Sequence, residues 1–228
     1  MIIFASCDIN YYKRHAKALI YSALENDHNI HIEVLYPNDE FSKSDILDYS
    51  KGIEGVGHSF KFNYSMRRED LACARFITAP TIMDLYYDSI LIVDVDCFLR
   101  KPFPEPKEYD VGLFLRDSLP GTVGIEASGT KVAAGLVYVN KTKLGKDYIQ
   151  EVAHWIKSYP NKPWFYDQYA LHQVFLNFEE IIKVKKFTNT DMDWEFTTDS
   201  YIWTGKGDRK HTNETYLKAK HEQESRNS

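Results

Sequence analysis

The segment from Ile90 to Asp96 constrains the fold of this chain more than any other stretch. Four consecutive aliphatic residues, Ile90 to Val93, are followed by Asp94, Val95 and Asp96. An apolar run rich in β-branched residues is typical of a strand buried on both faces of a parallel sheet. Because side chains alternate along a strand, Asp94 and Asp96 are expected to project to the same side. Ligand sites of open α/β sheets lie beyond the carboxyl ends of the strands, so the segment also predicts a site.

The two carboxylates favour a metal ion at that edge of the sheet. Two like charges this close together need a compensating partner, and carboxylate oxygens favour a hard cation such as Mg²⁺ or Mn²⁺. The alternative is that Asp94 and Asp96 merely open a solvated turn, since Asp-x-Asp by itself is a weak signal. Their position at the end of a hydrophobic strand favours the metal.

Strand and helix patterns alternate along most of the chain, which predicts an α/β fold with a mainly parallel, twisted sheet and helices on both faces. The patterns predict strands over 1–6, 30–36, 59–63, 110–115 and 132–139 and helices over 11–24, 41–49, 68–78 and 143–159. A further helix is expected to start at Pro80, and the glycine-rich residues 119–130 are expected to form a loop. We expect one domain over residues 1–211 and a polar tail or loose helix over 212–228.

Composition excludes several classes of protein. The 228 residues are 43% hydrophobic and 14% aromatic, which suits a folded chain and not a disordered one. The formal net charge of −5 offers no broad basic field for nucleic acid. Cys7, Cys73 and Cys97 are odd in number and widely spaced, which argues against a disulfide framework or a zinc site. The chain shows no signal-peptide pattern and no stretch suited to a membrane span, so a cytoplasmic location is expected.

Two segments before the Asp-x-Asp motif carry candidate binding residues. Asp8, Asn10 and Tyr11 follow the first strand, where the polar groups could hydrogen-bond a base while the aromatic ring stacks on it. Asp8 or Asn10 could equally cap a helix. Arg75 interrupts an otherwise apolar helix, so it needs a carboxylate or phosphate partner unless it extends to solvent.

Two later segments suit a ligand at the same edge. Ala134 and Gly135 lie near the start of a strand, where small side chains permit close approach of a ligand or simply tight sheet packing. Asp167 and Gln168 begin a helix among aromatic residues, a combination that suits sugar rings. Asp167 could instead be the N-cap of that helix.

The last candidate segment combines glycines with cations close to the C-terminus. Lys206, Gly207 and Lys210 belong to the run Trp203-Thr-Gly-Lys-Gly-Asp-Arg-Lys210. Exposed backbone amides and lysine head groups can wrap a diphosphate, although a charged surface turn would have the same composition.

Together these residues resemble the retaining glycosyltransferases of the GT-A fold, in particular the branch with bacterial lipooligosaccharide galactosyltransferases and glycogenin. The resemblance covers most of the first 210 residues in scattered blocks, and five short motifs occur in the order of that family. The matching residues are Asp8, Asn10, Tyr11, Ala74, Arg75, Asp94, Asp96, Ala133, Ala134, Gly135, Asp167 and Gln168.

The chain departs from the pattern of this family at two positions. Ala133 replaces the asparagine that precedes Ala-Gly, so one sugar or acceptor contact is missing. Thr204 occupies the position of the histidine in His-x-x-Gly-x-x-Lys, which is the third metal ligand in the family. His211, Asp199 or a water molecule remains as the candidate for that third ligand.

The resemblance implies a metal-dependent hexosyltransferase that uses a nucleotide-diphosphate sugar, with a UDP-hexose as the expected donor. An unidentified saccharide or other acceptor would receive the hexose with retention of configuration. Asp94 and Asp96 would hold Mn²⁺ or Mg²⁺, and Asp167 and Gln168 would face the donor sugar. The donor nucleotide and its phosphates would contact Asp8, Asn10, Tyr11, Arg75, Ala134, Gly135, Lys206, Gly207 and Lys210.

Two other functions stay open from sequence. A sugar-phosphate nucleotidyltransferase would share the sheet and the acidic metal site, but it should carry a glycine-rich triphosphate loop after the first strand. Residues 6–12 contain no glycine. A non-catalytic protein that binds nucleotide sugars is the second alternative.

Overall fold

The computed structural model describes residues 1–37, 50, 53–63, 65, 67–116 and 131–225. The N-terminal half contains β1 (Ile2–Asp8), α1 (Ile9–Tyr11), a π-helical segment (Tyr12–Ala16), α2 (Lys17–Glu25), β2 (Asn29–Tyr36), β3 (Val56–Phe62), α3 (Arg68–Tyr86), β4 (Ile90–Val93) and β5 (Cys97–Leu99). The C-terminal half contains β6 (Val111–Leu115), β7 (Val132–Val139), α4 (Lys143–Ser158), α5 (Tyr166–Phe178), β8 (Val184–Lys186), β9 (Met192–Asp193), β10 (Ile202–Thr204), α6 (Arg209–Thr212) and α7 (Glu214–Ser225).

A seven-stranded sheet in the order β3-β2-β1-β4-β7-β6-β8 forms the centre of the described structure. Its neighbouring strands are parallel except at β7, which runs antiparallel to both β4 and β6. A smaller sheet in the order β5-β10-β9 lies beside it. The predicted α/β class with a mainly parallel sheet is confirmed.

Helices cover both faces of the large sheet, which explains the uninterrupted apolar run in β4. Ile90 and Ile92 pack into a core with α3, α4 and α5, whereas Leu91 and Val93 pack into a second core with the π-helical segment and α2. Both faces of the strand are therefore buried, and alternation of polar and apolar residues is absent.

The helix before β4 is longer than predicted. We expected a break at Pro80, but α3 continues through it from Arg68 to Tyr86. Proline inside a helix costs about 3 kcal/mol. Phe76, Ala79, Ile82 and Met83 lie on both sides of the proline and are buried in one core. Burial of both halves of the helix against the same sheet offsets that cost.

The two acids lie in a turn and not in a strand, so the prediction that they project from one strand face is wrong. β4 ends at Val93, and Cys97 already pairs with Thr204 in the small sheet. The chain therefore leaves the large sheet at Asp94, and the turn is closed by the Cys97 amide, which donates to the Asp94 carbonyl at 3.3 Å.

The polar C-terminal segment forms a docked helix where a tail or loose helix was expected. The Tyr216 side chain in α7 is fully buried in a cluster with Phe98, Phe196 and Trp203. Lys220 Nζ also donates to the Arg14 carbonyl at 2.6 Å. The boundary placed between residues 211 and 212 stays a prediction.

Two predicted elements, the helix over 41–49 and the loop over 119–130, lie outside the described residues. Among the helices that are described, none has the length and apolar character needed to cross a membrane.

Candidate functional site

The carboxylates of Asp94 and Asp96 lie at the edge of the sheet where β1, β4 and β6 end. β1 and β4 run parallel, and β7 separates β4 from β6 as an antiparallel strand, so the carboxyl ends of all three strands meet there. Asp94 Oδ1 accepts a hydrogen bond from Arg75 Nη1, and Asp96 Oδ2 accepts one from Lys210 Nζ at 2.8 Å. Each carboxylate is thus paired with its own cation.

Arg75 connects three of the segments that the sequence singled out. It lies on α3 and is only 7% exposed, so the alternative of a side chain extending to solvent is wrong. Its Nη2 donates to the Ala134 carbonyl at 3.1 Å and to Asp167 Oδ2 at 3.4 Å. Burial lowers the pKa of Arg75, but the negative charges of Asp94 and Asp167 raise it by a larger amount, so the pKa is raised overall. Arg75 is therefore a permanently charged link between α3, the Asp-x-Asp turn, β7 and α5.

Gly135 provides the space that Asp94 occupies. In β7, Leu136 pairs with Val93, which brings Gly135 next to the turn that starts at Asp94. A Cβ atom at Gly135 would lie 2.9 Å from Asp94 Oδ2 and 3.4 Å from Met192 Cε. The sequence suggested that Gly135 allows close approach of a ligand. In the structure, the absence of a side chain at Gly135 makes room for the Asp94 carboxylate.

Lys210 and Tyr11 hold the second carboxylate. Lys210 Nζ donates to the Tyr11 hydroxyl as well as to Asp96, and the Tyr11 hydroxyl donates to Asp96 Oδ2 at 3.4 Å. Burial raises the pKa of Asp96, and the charge of Asp94 adds to this, while Lys210 opposes it. Burial lowers the pKa of Lys210, but Asp96 and Tyr11 outweigh it, so the net shift is upward. The ammonium group is consequently held in its charged form.

The C-terminal segment also anchors the backbone of the motif. The Tyr216 hydroxyl donates to the Asp96 carbonyl at 2.7 Å, and the Gly205 amide donates to the same oxygen at 3.1 Å. The sequence indicated Lys210 as a contact for a diphosphate but gave no indication of Tyr216, because α7 has no local feature that predicts contact with residue 96.

The predicted base-binding segment is partly used for capping. Asp8 Oδ1 accepts hydrogen bonds from the amides of Asn10 at 2.8 Å and Tyr11 at 3.1 Å, so the capping alternative holds for Asp8. Asn10 is exposed, and the Tyr11 hydroxyl lies against the Asp-x-Asp turn. The role of these residues toward a base stays a prediction.

A buried histidine behind Tyr11 was missed by sequence reasoning. The His15 ring lies in the π-helical segment, with its centroid 4.7 Å from that of Tyr11 and 6.5 Å from that of His211. Burial lowers the pKa of His15 to about 3, and the nearby charges of Lys220, Lys210 and His211 act in the same direction. π-Helical segments often occur at functional sites, so this segment points to His15. The sequence did not reveal it, because residues 11–24 have the apolar spacing of an ordinary α-helix.

Asp167 and Gln168 begin α5 on the other side of Arg75. The N-cap residue is Phe165, in a left-handed conformation with φ of 68°, so Asp167 is not the N-cap. Asp167 is 5% exposed, and its Oδ1 accepts from the Gln168 amide at 2.9 Å. Burial raises the pKa of Asp167 to about 6, against the opposing charge of Arg75.

Gln168 has a charged partner that sequence reasoning also missed. Its Oε1 accepts a hydrogen bond from Arg116 Nη2 at 2.8 Å. Arg116 directly follows the apolar strand β6, and a cation at the carboxyl end of a buried strand was the available signal.

Lys206 and Gly207 lie in the turn that precedes α6. Lys206 Nζ lies over the ring of Trp194, 4.6 Å from its centroid. Gly207 adopts a positive φ of 63°, which explains the choice of glycine in this turn. In the same segment, Lys210 contacts the Asp-x-Asp motif through Asp96.

The donor set of this edge fits a hard divalent cation shared with a phosphate ligand. Asp94 Oδ2 and Asp96 Oδ1 accept no hydrogen bond from a described residue. In the described part of the chain, no group of three or more histidine, cysteine or carboxylate side chains is placed to hold a metal ion, and the third ligand stays open between His211, Asp199 and water. Mg²⁺ is usually bound through one or two carboxylates together with waters and substrate phosphates, and this pair matches that pattern.

Comparison with known proteins supports the fold. Neither a protein-family model nor a curated protein sequence matches the chain. Among solved structures, the chain is similar to the apo structure of WbbM, a bifunctional glycosyltransferase, with a TM-score of 0.64 and 15% sequence identity. The match covers 100% of this chain and 50% of that one, so the chain spans about half the length of WbbM. The likeness confirms an α/β fold of the GT-A type.

Proposed function

We propose that this chain is a metal-dependent glycosyltransferase that transfers a hexose from a nucleotide-diphosphate sugar to an acceptor. The observation that carries the proposal is the carboxylate pair Asp94 and Asp96, each paired with its own cation, at the carboxyl edge of a GT-A-type sheet. A UDP-hexose as donor, a saccharide as acceptor and retention of configuration follow from the motif resemblance.

Asp94 and Asp96 would hold Mn²⁺ or Mg²⁺, which would neutralise the charge that develops on the leaving nucleoside diphosphate. Arg75 would orient Asp94 for that purpose, because it pairs with one carboxylate oxygen and leaves the other open. Lys210 is long, charged and next to Asp96, so it is suited to contact the diphosphate directly. Lys206, whose ammonium group lies over the ring of Trp194, would add a second positive charge for the diphosphate.

Asp167 would accept hydrogen bonds from hydroxyl groups of the donor sugar. It is a poor candidate for a general base, because one oxygen is paired with Arg75 and the other accepts the Gln168 amide. A mechanism in which the leaving phosphate takes the proton of the acceptor needs no such base, and it suits retention.

The capping of α1 favours sugar transfer over nucleotidyl transfer. A nucleotidyltransferase would bind its triphosphate on free amides after the first strand. Here the Asp8 carboxylate occupies the amides of Asn10 and Tyr11 and adds a negative charge at that place. A triphosphate would be repelled there.

The purified protein should release nucleoside diphosphate from at least one member of a panel of nucleotide sugars in the presence of Mn²⁺, and chelation should stop the release. Asp94→Asn and Asp96→Asn should remove both the release and the Mn²⁺-dependent part of nucleoside diphosphate binding, because each loses an anionic ligand. Asp84→Asn is the matched control, since Asp84 is an exposed carboxylate that pairs with Lys146 on the surface.

Three outcomes would contradict the proposal. Full turnover by either Asp-x-Asp variant would exclude the metal role. Binding of nucleotide sugars without any turnover would indicate a non-catalytic binding protein. Release of pyrophosphate from a nucleoside triphosphate and a sugar phosphate would indicate a nucleotidyltransferase.

A further inference from the structure

Gln168 faces Arg116, and this contact determines which end of its carboxamide is available to a ligand. Arg116 Nη2 lies 2.8 Å from Gln168 Oε1. A guanidinium group has only donors, whereas a carboxamide has an acceptor oxygen and an NH₂ group. The amide must therefore present its oxygen to Arg116, so its orientation follows from the chemistry of its partner.

Both partners are held by the backbone around them. The Arg116 amide donates to the Lys131 carbonyl at 2.7 Å, just beyond the pairing of Leu115 with Val132. The Gln168 amide donates to Asp167 Oδ1 at 2.9 Å in the first turn of α5. The contact thus joins the end of the β6–β7 pair to the start of α5, and the backbone of each residue is fixed by a hydrogen bond.

The amide nitrogen is left for another partner. Gln168 Nε2 makes no hydrogen bond with any residue in the described ranges. Arg116 follows the carboxyl end of β6, which lies at the same edge of the sheet as the end of β4, so its contact with Gln168 places that side chain at the edge proposed to bind the donor sugar.

We propose that Arg116 is a positioning residue that makes Gln168 a hydrogen-bond donor to a hydroxyl oxygen of the sugar or the acceptor. This inference rests on the proposed function and refines it. A charge-assisted hydrogen bond draws electron density from the amide oxygen, which makes that oxygen a weaker nucleophile and strengthens the N–H groups as donors. Gln168 then acts through its nitrogen, and its oxygen does not attack the anomeric carbon.

Gln168→Glu separates the two roles of the side chain. Glutamate keeps the shape and strengthens the contact with Arg116, but it replaces the NH₂ donor by a second acceptor oxygen. We expect kcat to fall at least about tenfold, or about 1.4 kcal/mol in activation free energy, with little change in affinity for the nucleoside diphosphate. A Gln168→Glu variant that keeps or exceeds the wild-type kcat would overturn the inference, because the side-chain oxygen, and not the NH₂ group, would then be the atom that contributes to catalysis.

Arg116→Met tests the positioning. It should lower kcat by a similar factor with little change in KM for the donor, and Arg116→Lys, which keeps one donor, should retain more activity. In the double variant Arg116→Met/Gln168→Ala, kcat should fall no further than in Gln168→Ala alone. Independent, additive losses would overturn the positioning role. Lys143→Met is the control, since Lys143 is an exposed cation paired with Asp147 on α4.

Two readouts keep this inference separate from the proposed function. A wild-type protein that turns over no nucleotide sugar would refute the proposed function, whereas an active wild type with an active Gln168→Glu variant would refute only the inference. The contact itself is measured without turnover by the thermal unfolding of the same single and double variants. Additive shifts in Tm would show that Arg116 and Gln168 do not interact.

Discussion

Replacing Arg75 by methionine should destabilise the protein strongly, because the arginine is buried among two carboxylates and a backbone carbonyl. Methionine keeps a long apolar stem but leaves Asp167, which is 5% exposed, without its cation. The Ala134 carbonyl also loses its charged donor. Removing one partner of a buried ion pair costs about 3–5 kcal/mol. For a chain of this size, that corresponds to a fall in Tm of about 6–20 °C.

The cost of this substitution should depend on pH. The pKa of Asp167 is raised to about 6, so the folded chain holds this proton more tightly than the unfolded chain does. The stability contributed by this group is therefore complete at low pH and is lost as the pH rises through about 6. Since the charge of Arg75 lowers the pKa of Asp167, its removal raises that pKa further. We expect a smaller destabilisation at about pH 5, where Asp167 is mostly neutral, than at about pH 7.5.

Urea unfolding followed by circular dichroism at both pH values measures this difference. Arg75→Met/Asp167→Asn should recover most of the stability lost at the higher pH, because it removes the unpaired buried charge. Arg209→Met is the matched control: Arg209 forms an exposed pair with Glu195 at 3.1 Å, and its loss should cost no more than about 1 kcal/mol. An equal cost of Arg75→Met at both pH values, together with no recovery in the double variant, would refute the reasoning.

Two further substitutions test the surroundings of the carboxylates. Gly135→Ala places a Cβ atom 2.9 Å from Asp94 Oδ2, so Asp94 must move, and calorimetry should show weaker Mn²⁺-dependent binding of nucleoside diphosphate; an unchanged Kd would contradict this. His15 has a pKa lowered to about 3 by burial and nearby cations, so the folded chain holds fewer protons than the unfolded chain, and stability is lost as the pH falls from the ordinary histidine value toward 3. His15→Phe cannot be protonated and should lose less Tm than the wild type on acidification; parallel curves for the two proteins would exclude this role of His15.

Local sequence patterns predicted the elements of the fold well where both faces of a strand are buried. The runs in β1 and β4 are apolar because each strand packs into two cores, and that property is visible in consecutive residues. The break predicted at Pro80 failed because proline acts locally, whereas the burial of Phe76 and Met83 in one core is a property of the assembled sheet and helix.

The candidate site shows even more clearly the difference between what local sequence patterns predict and what the assembled fold decides. Asp94, Asp96 and Asp167 were singled out as acids at the ends of elements, and Arg75 as a cation inside an apolar helix. Which of these residues pair with one another was not predicted. Arg116 and Tyr216 were missed altogether, since each acts on a partner far away in the sequence.

The sequence by itself determined the α/β class, the order of most strands and helices, and the edge of the sheet at which the acids lie. Only the tertiary structure decided which cation pairs with which carboxylate. Lys210 meets Asp96 across 114 positions, and Arg75 meets Asp167 across 92. Hydrophobic periodicity reports which face of an element is buried over one or two turns of chain. The pairing of charges depends instead on strand order and crossover connections, which bring these distant residues to one edge and bury them together.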